Sequence, residues 1–417
     1  MMKVALVCLP PKNFTRIYWC EAESSANTQL PPLDLLYISS YLEKNGIDTE
    51  VINSSMLRDV FDYFVFHVSR QTIDSDLEAI RNCSLVGKTI VFGAEVSAIP
   101  SFWTQFKFID YVVIGEPEPV ILQIVSGKPK QPMNLNGLYP NYKKVDINQY
   151  SCSYIKSKPF VVSLSSRGCP HNCIFCSSHL LFKRAFRPRT AYDVAYEMKL
   201  YQDMGVKTVW FYDDTFTYDR QRVFNICNYL KRFGVDLNWK TQTRADRLDK
   251  IMIKTLRESG CYEVGIGVES GNQKILDKNN KGIKLETIRR VFKECNDVGM
   301  QTVAFFMLGM ADETQKTVDE TIEFAKSLDP TYAQFVLATP YQGTRFYKLA
   351  QQKGWLVTEE STCSGNYGLV MNDLTPEIMK DKLKQANRSF YMRPRYMLKQ
   401  LRHPSLEKLK SLRNVIT

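Results

Sequence analysis

The sequence predicts an α/β protein: a small doubly wound, Rossmann-like parallel sheet, then a partial (βα)6 barrel of the TIM type, then a helical C-terminal tail. Apolar runs of strand length alternate with helical segments along most of the chain, which is typical of parallel sheets. The chain has 417 residues and 44% hydrophobic content, enough for a large core. We predict domains over residues 1–126, 159–345 and 346–417, with a linker over 127–158.

The first domain begins with an apolar run from Lys3 to Leu9 that predicts a buried strand. Pro32 to Asn45 has the period of an amphipathic helix, which Gly46 ends. About ten residues separate the second and third predicted strands, which is short for a crossover helix with its loops. The four further strands are predicted at Val51-Ile52, Tyr63 to Val68, Thr89 to Phe92 and Tyr111 to Ile114.

Residues 127–158 lack a sustained period and contain Pro129, Pro132 and Pro140, so they predict a linker with short extended pieces. Right-handed crossovers would curl the six βα units that follow into an incomplete barrel, with catalytic groups where strands end. The tail from Phe346 to Thr417 predicts a helix pair that closes the open side of the barrel. The predicted barrel strands are Phe160 to Ser165, Thr208 to Tyr212, Asp236 to Gln242, Tyr262 to Val268, Gln301 to Met307 and Tyr332 to Leu337. The predicted barrel helices are Ala191 to Gln202, Arg220 to Arg232, Asp249 to Glu258, Leu285 to Asp297 and Glu313 to Ser327.

Composition narrows the class of protein. The opening apolar stretch ends at Pro10-Pro11 and is too short for a signal sequence or a membrane span, so we expect a cytoplasmic protein without a membrane partner. Three of the eleven cysteines form one cluster and the others are scattered, which favours reduced thiols. The net charge is +11, and a basic tail that contributes to it is either a solvated helix face or a nucleic-acid footprint. The tail residues are Arg393, Arg395, Lys399, Arg402, Lys408, Lys410 and Arg413.

The cysteine cluster follows the first predicted barrel strand directly, in the peptide Ser166-Arg167-Gly168-Cys169-Pro170-His171-Asn172-Cys173-Ile174-Phe175-Cys176. Three thiolates can hold three irons of a 4Fe-4S cubane, which leaves the fourth iron open for a cosubstrate. Structural zinc is the alternative, because His171 or His179 could complete a Cys3His site. Zinc ligands usually come as two separated pairs, so one loop without a second pair favours the cubane.

This loop, through Cys169, Cys173, Phe175 and Cys176, resembles the C-x3-C-x-aromatic-C motif of the radical S-adenosylmethionine superfamily. The resemblance covers the barrel up to Gly343. It implies that the open iron binds the methionine end of S-adenosylmethionine. It also implies reductive cleavage to methionine and a 5′-deoxyadenosyl radical, with an electron donor of the flavodoxin or ferredoxin type.

Polar residues stand at the later strand ends, where this cosubstrate would lie. The resemblance places Asp213 and Asp214 at the methionine amino group, and a helix N-cap is the alternative role for Asp214. Arg244 either pairs with the methionine carboxylate or forms a structural salt bridge. The remaining predicted contacts are Gly265, Gly267 and Glu269 at the ribose, and Gly309 and Thr339 on the adenine side.

The first domain resembles the cobalamin-binding domain that precedes many radical enzymes. The resemblance rests on Pro31-Pro32-Leu33, on Phe92-Gly93-Ala94-Glu95, and on the run from Ile109 to Glu118 that contains Gly115-Glu116-Pro117-Glu118. Two features depart from the pattern: the short gap after the second strand, and the lack of an Asp-x-His-x-x-Gly motif for a lower axial histidine. Two outcomes stay open, namely that the domain binds cobalamin or that it has lost it and covers the substrate.

The resemblance leaves the reaction open. With cobalamin it implies methyl transfer to an unactivated carbon of a small-molecule metabolite; without cobalamin it implies dehydration, deoxygenation or cyclisation. The other two classes are a tRNA-modifying radical enzyme and a zinc-stabilised binding protein. No appended RNA-binding domain and no second cysteine cluster is visible, so neither a nucleic-acid partner nor an auxiliary cluster is expected. Thiols that are either inert or hydrogen-atom donors to a product radical are Cys8, Cys20, Cys152, Cys261 and Cys363.

Overall fold

A computed structural model of the chain describes residues 2–9, 14–17, 20–23, 28–52, 60–69, 72–129, 131–152, 155–357 and 367–401. These residues form two compact units. The first unit holds the described residues up to Ser151, together with Ser166–Pro170 and Ser177–Arg189. The second unit holds Cys152–Ser165, His171–Cys176 and the described residues from Thr190 onward.

The first unit is built on a doubly wound parallel sheet. Its strands are β1 Lys3–Val7, β2 Phe14–Ile17, β3 Cys20–Glu23, β4 Asp48–Ile52, β5 Tyr63–His67, β6 Lys88–Phe92 and β7 Tyr111–Val112. Five of them pair in parallel in the order β4-β1-β5-β6-β7, while β2 and β3 form a separate antiparallel pair. The strand order therefore reverses between β1 and β5. The five strands predicted for this sheet are confirmed.

The helices of the first unit before residue 150 are α1 Leu33–Lys44, α2 Ile73–Cys83, α3 Ala94–Ala98, α4 Pro100–Thr104 and α5 Pro117–Ser126. The sequence predicts α1 and misses the other four. Helices α3 and α4 span five residues each, too short to show a period. The first turn of α5 begins with Pro117, a residue tolerated there because the first helical N–H needs no partner.

The region between the sheet and the barrel differs from its prediction. In place of extended pieces, the described residues form 3-10 turns at Tyr142–Lys144 and Ile147–Gln149, and a single bridge pairs Ser151 with Gln29. The Asp146 side chain accepts a hydrogen bond from Asn148 N and so favours a turn over a strand. The predicted limits of the linker and of the domains on either side remain predictions.

Beyond this region the chain contributes to both units in turn. Strand β8, Phe160–Ser163, belongs to the second unit, and β9 Ser166–Arg167, α6 His179–Phe182 and β10 Arg187–Pro188 belong to the first. Strands β9 and β10 pair antiparallel. The cysteine loop leaves β9, and its residues are divided between the two units.

The second unit contains six parallel strands that follow one another in chain order. After β8 these are β11 Thr208–Phe211, β12 Asn238–Arg244, β13 Cys261–Glu269, β14 Gln301–Leu308 and β15 Tyr332–Leu337, paired in the order β15-β14-β13-β12-β11-β8. The intervening helices are α7 Ala191–Asp203, α8 Arg220–Arg232, α9 Lys250–Glu258, α10 Gln273–Lys278, α11 Leu285–Asp297 and α12 Gln315–Leu328. The predicted partial barrel is confirmed, and α10 is the helix the sequence does not predict.

The two faces of the barrel strands differ in burial. Along β14, Thr302, Ala304, Phe306 and Leu308 are fully buried, whereas the residues between them are half-buried. One face therefore packs against the helices, and the other is partly accessible. Parallel strands end at the same edge, so polar residues just after β11 to β15 can reach a common ligand.

Short polar residues begin the barrel helices. Thr190, Asp219, Asp249 and Thr314 each accept a hydrogen bond from a backbone N–H of the first turn that has no partner inside the helix. Asp219 is thus the N-cap of α8. The N-cap alternative proposed for Asp214 is wrong, because α8 begins five residues later than that alternative requires.

The described part of the tail contains three helices where a pair is predicted: α13 Arg345–Gln352, α14 Pro376–Tyr391 and α15 Pro394–Leu401. Arg393 is tied into the protein, because it donates to the carbonyl of Lys326 and packs 4.1 Å over the Phe390 ring. Arg393 therefore stabilises the packing of the tail and does not form part of an exposed surface for binding phosphate. Arg402, Lys408, Lys410, Arg413 and Cys363, and the side chains of Lys399 and Cys20, lie outside the described residues. Within the described ranges, no helix has the length and apolar character needed to cross a membrane.

Candidate functional site

The cysteine loop is anchored in the second unit at Ile174, between two of its cysteines. Ile174 N donates to the carbonyl of Asn279 at 3.2 Å, and Ile174 O accepts from Phe346 N at 2.9 Å. Cys173 is buried and Cys176 is half-buried. Asn279 ends α10, which follows β13 in the chain, and Phe346 lies in the first turn of α13, which follows β15. The loop is therefore held by backbone contacts that do not use its thiols.

In the first unit, the start of the same loop is held by a buried charge cluster. Arg167 is 2% exposed and donates from Nη1 to Glu116 Oε1 at 2.7 Å and from Nη2 to Glu118 Oε1 at 2.8 Å. Its guanidinium also lies 4.9 Å from the centre of the Tyr37 ring. The sequence analysis assigned Glu116 and Glu118 to a cobalamin-type pattern and missed Arg167. The sequence feature that could have indicated this charge cluster is the Glu-x-Glu spacing next to a buried helix.

Gly168 separates this charge cluster from Cys169. Its φ is +82°, and a side chain there would place its Cβ 2.2 Å from the carbonyl oxygen of Ala185. Both the left-handed backbone and the close approach of Ala185 require glycine. The backbone that leads into Cys169 is therefore fixed by a residue without a side chain.

The thiols of Cys169, Cys173 and Cys176 are not engaged in disulfides. Within the described ranges no three His, Cys, Asp or Glu side chains stand close enough together to hold one metal ion. The cysteines of a cubane bind three different irons, whereas the four ligands of zinc converge on a single ion. Burial and, second, the positive charge of Arg244 together lower the pKa of His171 to about 4, so this imidazole is neutral at pH 7.

Asp213 holds the end of β8 in place. Its Oδ1 accepts from Ser165 N at 2.7 Å and its Oδ2 accepts from Ser165 Oγ at 2.6 Å, and the residue is fully buried. Arg222 reinforces the same point by donating to the carbonyl of Ser165. Both carboxylate oxygens of Asp213 thus accept a hydrogen bond from within the protein, and the predicted contact to an amino group stays a prediction. Asp214 is half-buried beside it.

Arg244 stands at the end of β12 and faces the cysteine loop. Its Nη1 lies 3.8 Å from Cys173 Sγ, and its Nη2 donates to the carbonyl of Lys281 at 2.7 Å. Two further hydrogen bonds run from Nε and Nη2 to the carboxylate of Asp246, at 2.9 and 3.3 Å. The structural salt bridge, one of the two roles predicted for Arg244, is therefore formed. The guanidinium also puts a positive charge beside a sulfur that would be negative as an iron ligand.

The glycines of β13 make room for protein side chains. A Cβ on Gly265 would lie 2.7 Å from the Phe305 ring. A Cβ on Gly267 would lie 2.7 Å from Glu269 Oε1 and 2.8 Å from Lys281 Nζ. In this structure the Cβ position over both glycines is taken up by side chains of the protein, and the expected contact of a ribose with these glycines stays a prediction.

Glu269 ends β13 in an unusual backbone conformation. Its φ is +69°, in the left-handed region that non-glycine residues rarely adopt, and the pairing with β14 shifts register between Gly267 and Glu269. Strain of this kind is of the order of 1 kcal/mol or more and is common at ligand sites. The carboxylate accepts from Lys281 Nζ at 2.6 Å. The sequence analysis identified Glu269 and missed Lys281.

The loop after β14 is fixed by a buried glutamate. Glu313 Oε2 accepts from Gly309 N at 2.6 Å and from Met310 N at 3.0 Å. The φ of Gly309 is +87°, and a Cβ there would meet the Tyr367 ring at 2.2 Å. Gly309 is thus covered by Tyr367 and shaped by Glu313. After β15, Thr339 is buried and the neighbouring Ala338 N donates to the carbonyl of Leu308.

We expect Glu313 to make stability fall as pH rises. Burial raises the pKa of Glu313 to about 8, although the amides of Gly309 and Met310 lower it in part. The folded state then binds one more proton than the unfolded state between the unfolded pKa, about 4.3, and about 8, so the free energy of unfolding declines across that window. Glu313→Gln keeps the acceptor without the charge. The free energy of unfolding of this variant, minus that of wild type, should be roughly 2 to 3 kcal/mol larger at pH 9 than at pH 6, as measured by urea unfolding.

Glu286→Gln is the matched control, because Glu286 is exposed on the first turn of α11 and its carboxylate needs no desolvation. This variant should follow the wild-type pH dependence. Parallel pH curves for wild type and Glu313→Gln would contradict the assignment of a protonated, buried Glu313.

Residues 163–325 match the Radical SAM superfamily. The chain is 35% identical over 265 residues to an uncharacterized methyltransferase of Pyrococcus horikoshii, an alignment that covers 63% of this chain and 57% of that protein. It is 24% identical to the anaerobic magnesium-protoporphyrin IX monomethyl ester cyclase of Rubrivivax gelatinosus, covering 88% of this chain and 75% of that protein.

A solved structure shows the same fold. The radical S-adenosylmethionine methyltransferase TsrM from Kitasatospora setae, solved with cobalamin and a [4Fe-4S] cluster bound, has a TM-score of 0.68 to this chain. The similarity covers 87% of this chain and 80% of TsrM at 17% identity. The matched model and the cysteine loop after the first barrel strand thus identify residues 163–325 as a radical S-adenosylmethionine domain, and the described residues share the fold of TsrM.

Proposed function

We propose that the chain is a radical S-adenosylmethionine enzyme that methylates a small-molecule metabolite. The observation that carries the proposal is the loop of Cys169, Cys173 and Cys176, which follows the first strand of a six-stranded parallel barrel. Three thiols that form no disulfide match the donor set of a 4Fe-4S cluster with one open iron. When bound, this cluster supplies the electron that splits the sulfonium of S-adenosylmethionine and yields the 5′-deoxyadenosyl radical.

Residues at the strand ends would bind the other parts of S-adenosylmethionine. Asp214 is half-buried after β11 and would accept hydrogen bonds from the amino group, since Asp213 is occupied by Ser165. Glu269 would accept from the ribose hydroxyls with the oxygen that Lys281 does not use. The adenine would lie towards the loops of Gly309 and Thr339. Arg244 would orient and electrostatically support Cys173.

Cobalamin fits the first unit best at the carboxyl edge of its sheet, where the order of β1 and β5 reverses. Gly115 follows β7 at this edge with φ +77°, and a Cβ there would meet no atom closer than 3.8 Å. Its neighbour Ile114 is 56% exposed and could pack on a flat ligand. His67, at the end of β5, is buried and paired with Asp34. Cobalamin, when bound, would supply methyl transfer to an unactivated carbon.

Methyl transfer is the preferred branch because the Pyrococcus relative is named a methyltransferase and TsrM is one with cobalamin bound. The name of the Rubrivivax relative supports a second candidate, ring closure driven by the adenosyl radical. A tRNA substrate is the third candidate: of the predicted basic tail residues, Arg393 is tied into the protein, whereas Arg395 is 82% exposed. A cytoplasmic location and a flavodoxin or ferredoxin electron donor complete the proposal.

The proposal is tested by air-free reconstitution with iron and sulfide, followed by incubation with reductant and S-adenosylmethionine carrying a deuterated methyl group. Candidate metabolites, with bulk tRNA as a separate arm, are supplied with and without methylcobalamin. We expect a small-molecule product that gains the labelled methyl group only when cobalamin is present. A product that forms without cobalamin and without label would establish the second candidate, and labelled tRNA would overturn the substrate class.

A further inference from the structure

We propose that Lys281 is a positioning residue of the S-adenosylmethionine site, which sets the Glu269 carboxylate for the ribose and couples it to the cysteine loop. The inference rests on the proposed function and extends it to a residue outside the sequence motifs. Lys281 lies just after α10, and its side chain is only 6% exposed. Lysine is rarely buried unless its charge is paired. A lysine buried at a strand end therefore requires a partner of opposite charge.

That partner is Glu269. Lys281 Nζ donates to Glu269 Oε1 at 2.6 Å, and the Glu269 side chain is 11% exposed. The left-handed backbone of Glu269 turns its carboxylate out of the strand, and the pair fills the space over Gly267. A Cβ on Gly267 would come within 2.8 Å of both charged groups, so the ion pair would have to shift to admit a side chain there. The lysine fixes one carboxylate oxygen and leaves the other as an acceptor.

The backbone around Lys281 reaches the cysteine loop by two routes. The carbonyl of Lys281 accepts from Arg244 Nη2 at 2.7 Å, and Arg244 Nη1 faces Cys173 Sγ. Two residues earlier, the carbonyl of Asn279 accepts from Ile174 N, between Cys173 and Cys176. The Asn279 side chain donates to the carbonyls of Ile275 and Ala311, so this carbonyl is held rigidly.

The turn Asn279–Lys281 therefore connects three parts of the proposed site: the cysteine loop, the end of β12 and the end of β13. Its left-handed Asn280, with φ +52°, orients the two carbonyls and the lysine side chain towards different partners. A carboxylate held in this way loses little conformational freedom when it binds a hydroxyl pair. We therefore expect ribose binding to depend on the Lys281 amino group, although this group does not contact the ribose.

The test uses Lys281→Met, which removes the amino group and keeps the backbone carbonyl that binds Arg244. Binding of S-adenosylhomocysteine and of its 2′-deoxy analogue to the reconstituted protein is measured by equilibrium dialysis, without reductant. We expect Lys281→Met to weaken S-adenosylhomocysteine binding about 10- to 100-fold, as for loss of a charged hydrogen-bond network. The preference of the wild type for the ribose over the deoxyribose ligand should largely disappear, while iron content stays unchanged. Lys281→Arg should restore part of that preference.

Lys278→Met is the matched control, because Lys278 is 59% exposed on the same helix end and pairs with Asp312. It should bind both ligands as the wild type does. If Lys281→Met does not fold, the double variant Lys281→Met/Glu269→Gln removes the unpaired charge and is compared with Glu269→Gln alone. Equal weakening of both ligands, with the ribose preference intact, would overturn the inference. A wild type that binds neither ligand would instead overturn the proposed function.

Discussion

Replacing Cys173 with alanine is expected to abolish both the iron-sulfur cluster and the formation of 5′-deoxyadenosine. Two remaining thiols can hold only two of the three irons that require protein ligands, so the cubane with one open iron cannot assemble. The readouts are iron and sulfide content, visible absorption and chromatographic detection of 5′-deoxyadenosine after air-free reconstitution. The loss should be complete rather than graded, because the electron and the cosubstrate site come from the same cluster.

Cys295→Ala is the control for removing a thiol. Cys295 lies on α11 outside the loop, and burial raises its pKa to about 12, which keeps it a protonated, inert thiol. This variant should keep its iron and its activity. Full iron and undiminished 5′-deoxyadenosine in Cys173→Ala would contradict the assignment of the loop.

The second large effect concerns Arg167. Arg167→Met is expected to lower the free energy of unfolding by about 3 to 5 kcal/mol, because the fully buried carboxylate of Glu118 loses its guanidinium partner and Glu116 keeps only Arg187. Burial raises the pKa of Glu116, but the guanidinium groups of Arg167 and Arg187 outweigh it and lower the pKa below its usual value. The stabilisation is therefore present above the unfolded pKa, about 4.3, and is lost as pH falls through the folded value.

The difference between Arg167→Met and wild type should accordingly be fully present near pH 7 and shrink as pH falls below about 4, as measured by urea unfolding of the apoprotein. Arg187→Met is the comparison, because Arg187 bonds the same oxygen of Glu116 but is 35% exposed. Its loss should cost about 1 kcal/mol or less. Equal losses for the two variants would show that Arg167 is not the main partner of the buried carboxylates.

The sequence predicted the strands of both sheets because their apolar runs are long and bounded by turn residues. The prediction for β13, from Tyr262 to Val268, lies within one residue of the observed Cys261–Glu269 at each end. Helix α10 was not predicted because its six residues make fewer than two helical turns, too few to show a repeating pattern. The fold was thus predictable where the local pattern is long, and α3, α4 and α10 show where it is not.

The roles of individual site residues were harder to predict because their partners lie far away in sequence. Asp213 looks available at a strand end, yet Ser165, 48 residues earlier, occupies both of its oxygens. Gly267 looks like a ligand cradle, yet the pair of Glu269 and Lys281 fills that space. The local sequence shows that a carboxylate, or the space left by a glycine, is present. The tertiary fold decides whether the protein or a ligand uses it.

Iron content and electron paramagnetic resonance of the reduced wild-type protein, prepared without air, before and after adding S-adenosylmethionine, will show whether the cysteine loop holds a 4Fe-4S cluster. We expect about four irons per chain, a cubane signal that changes on addition of the cosubstrate, and 5′-deoxyadenosine in the same sample. A colourless protein that carries zinc at the cysteine loop and forms no 5′-deoxyadenosine would contradict this expectation.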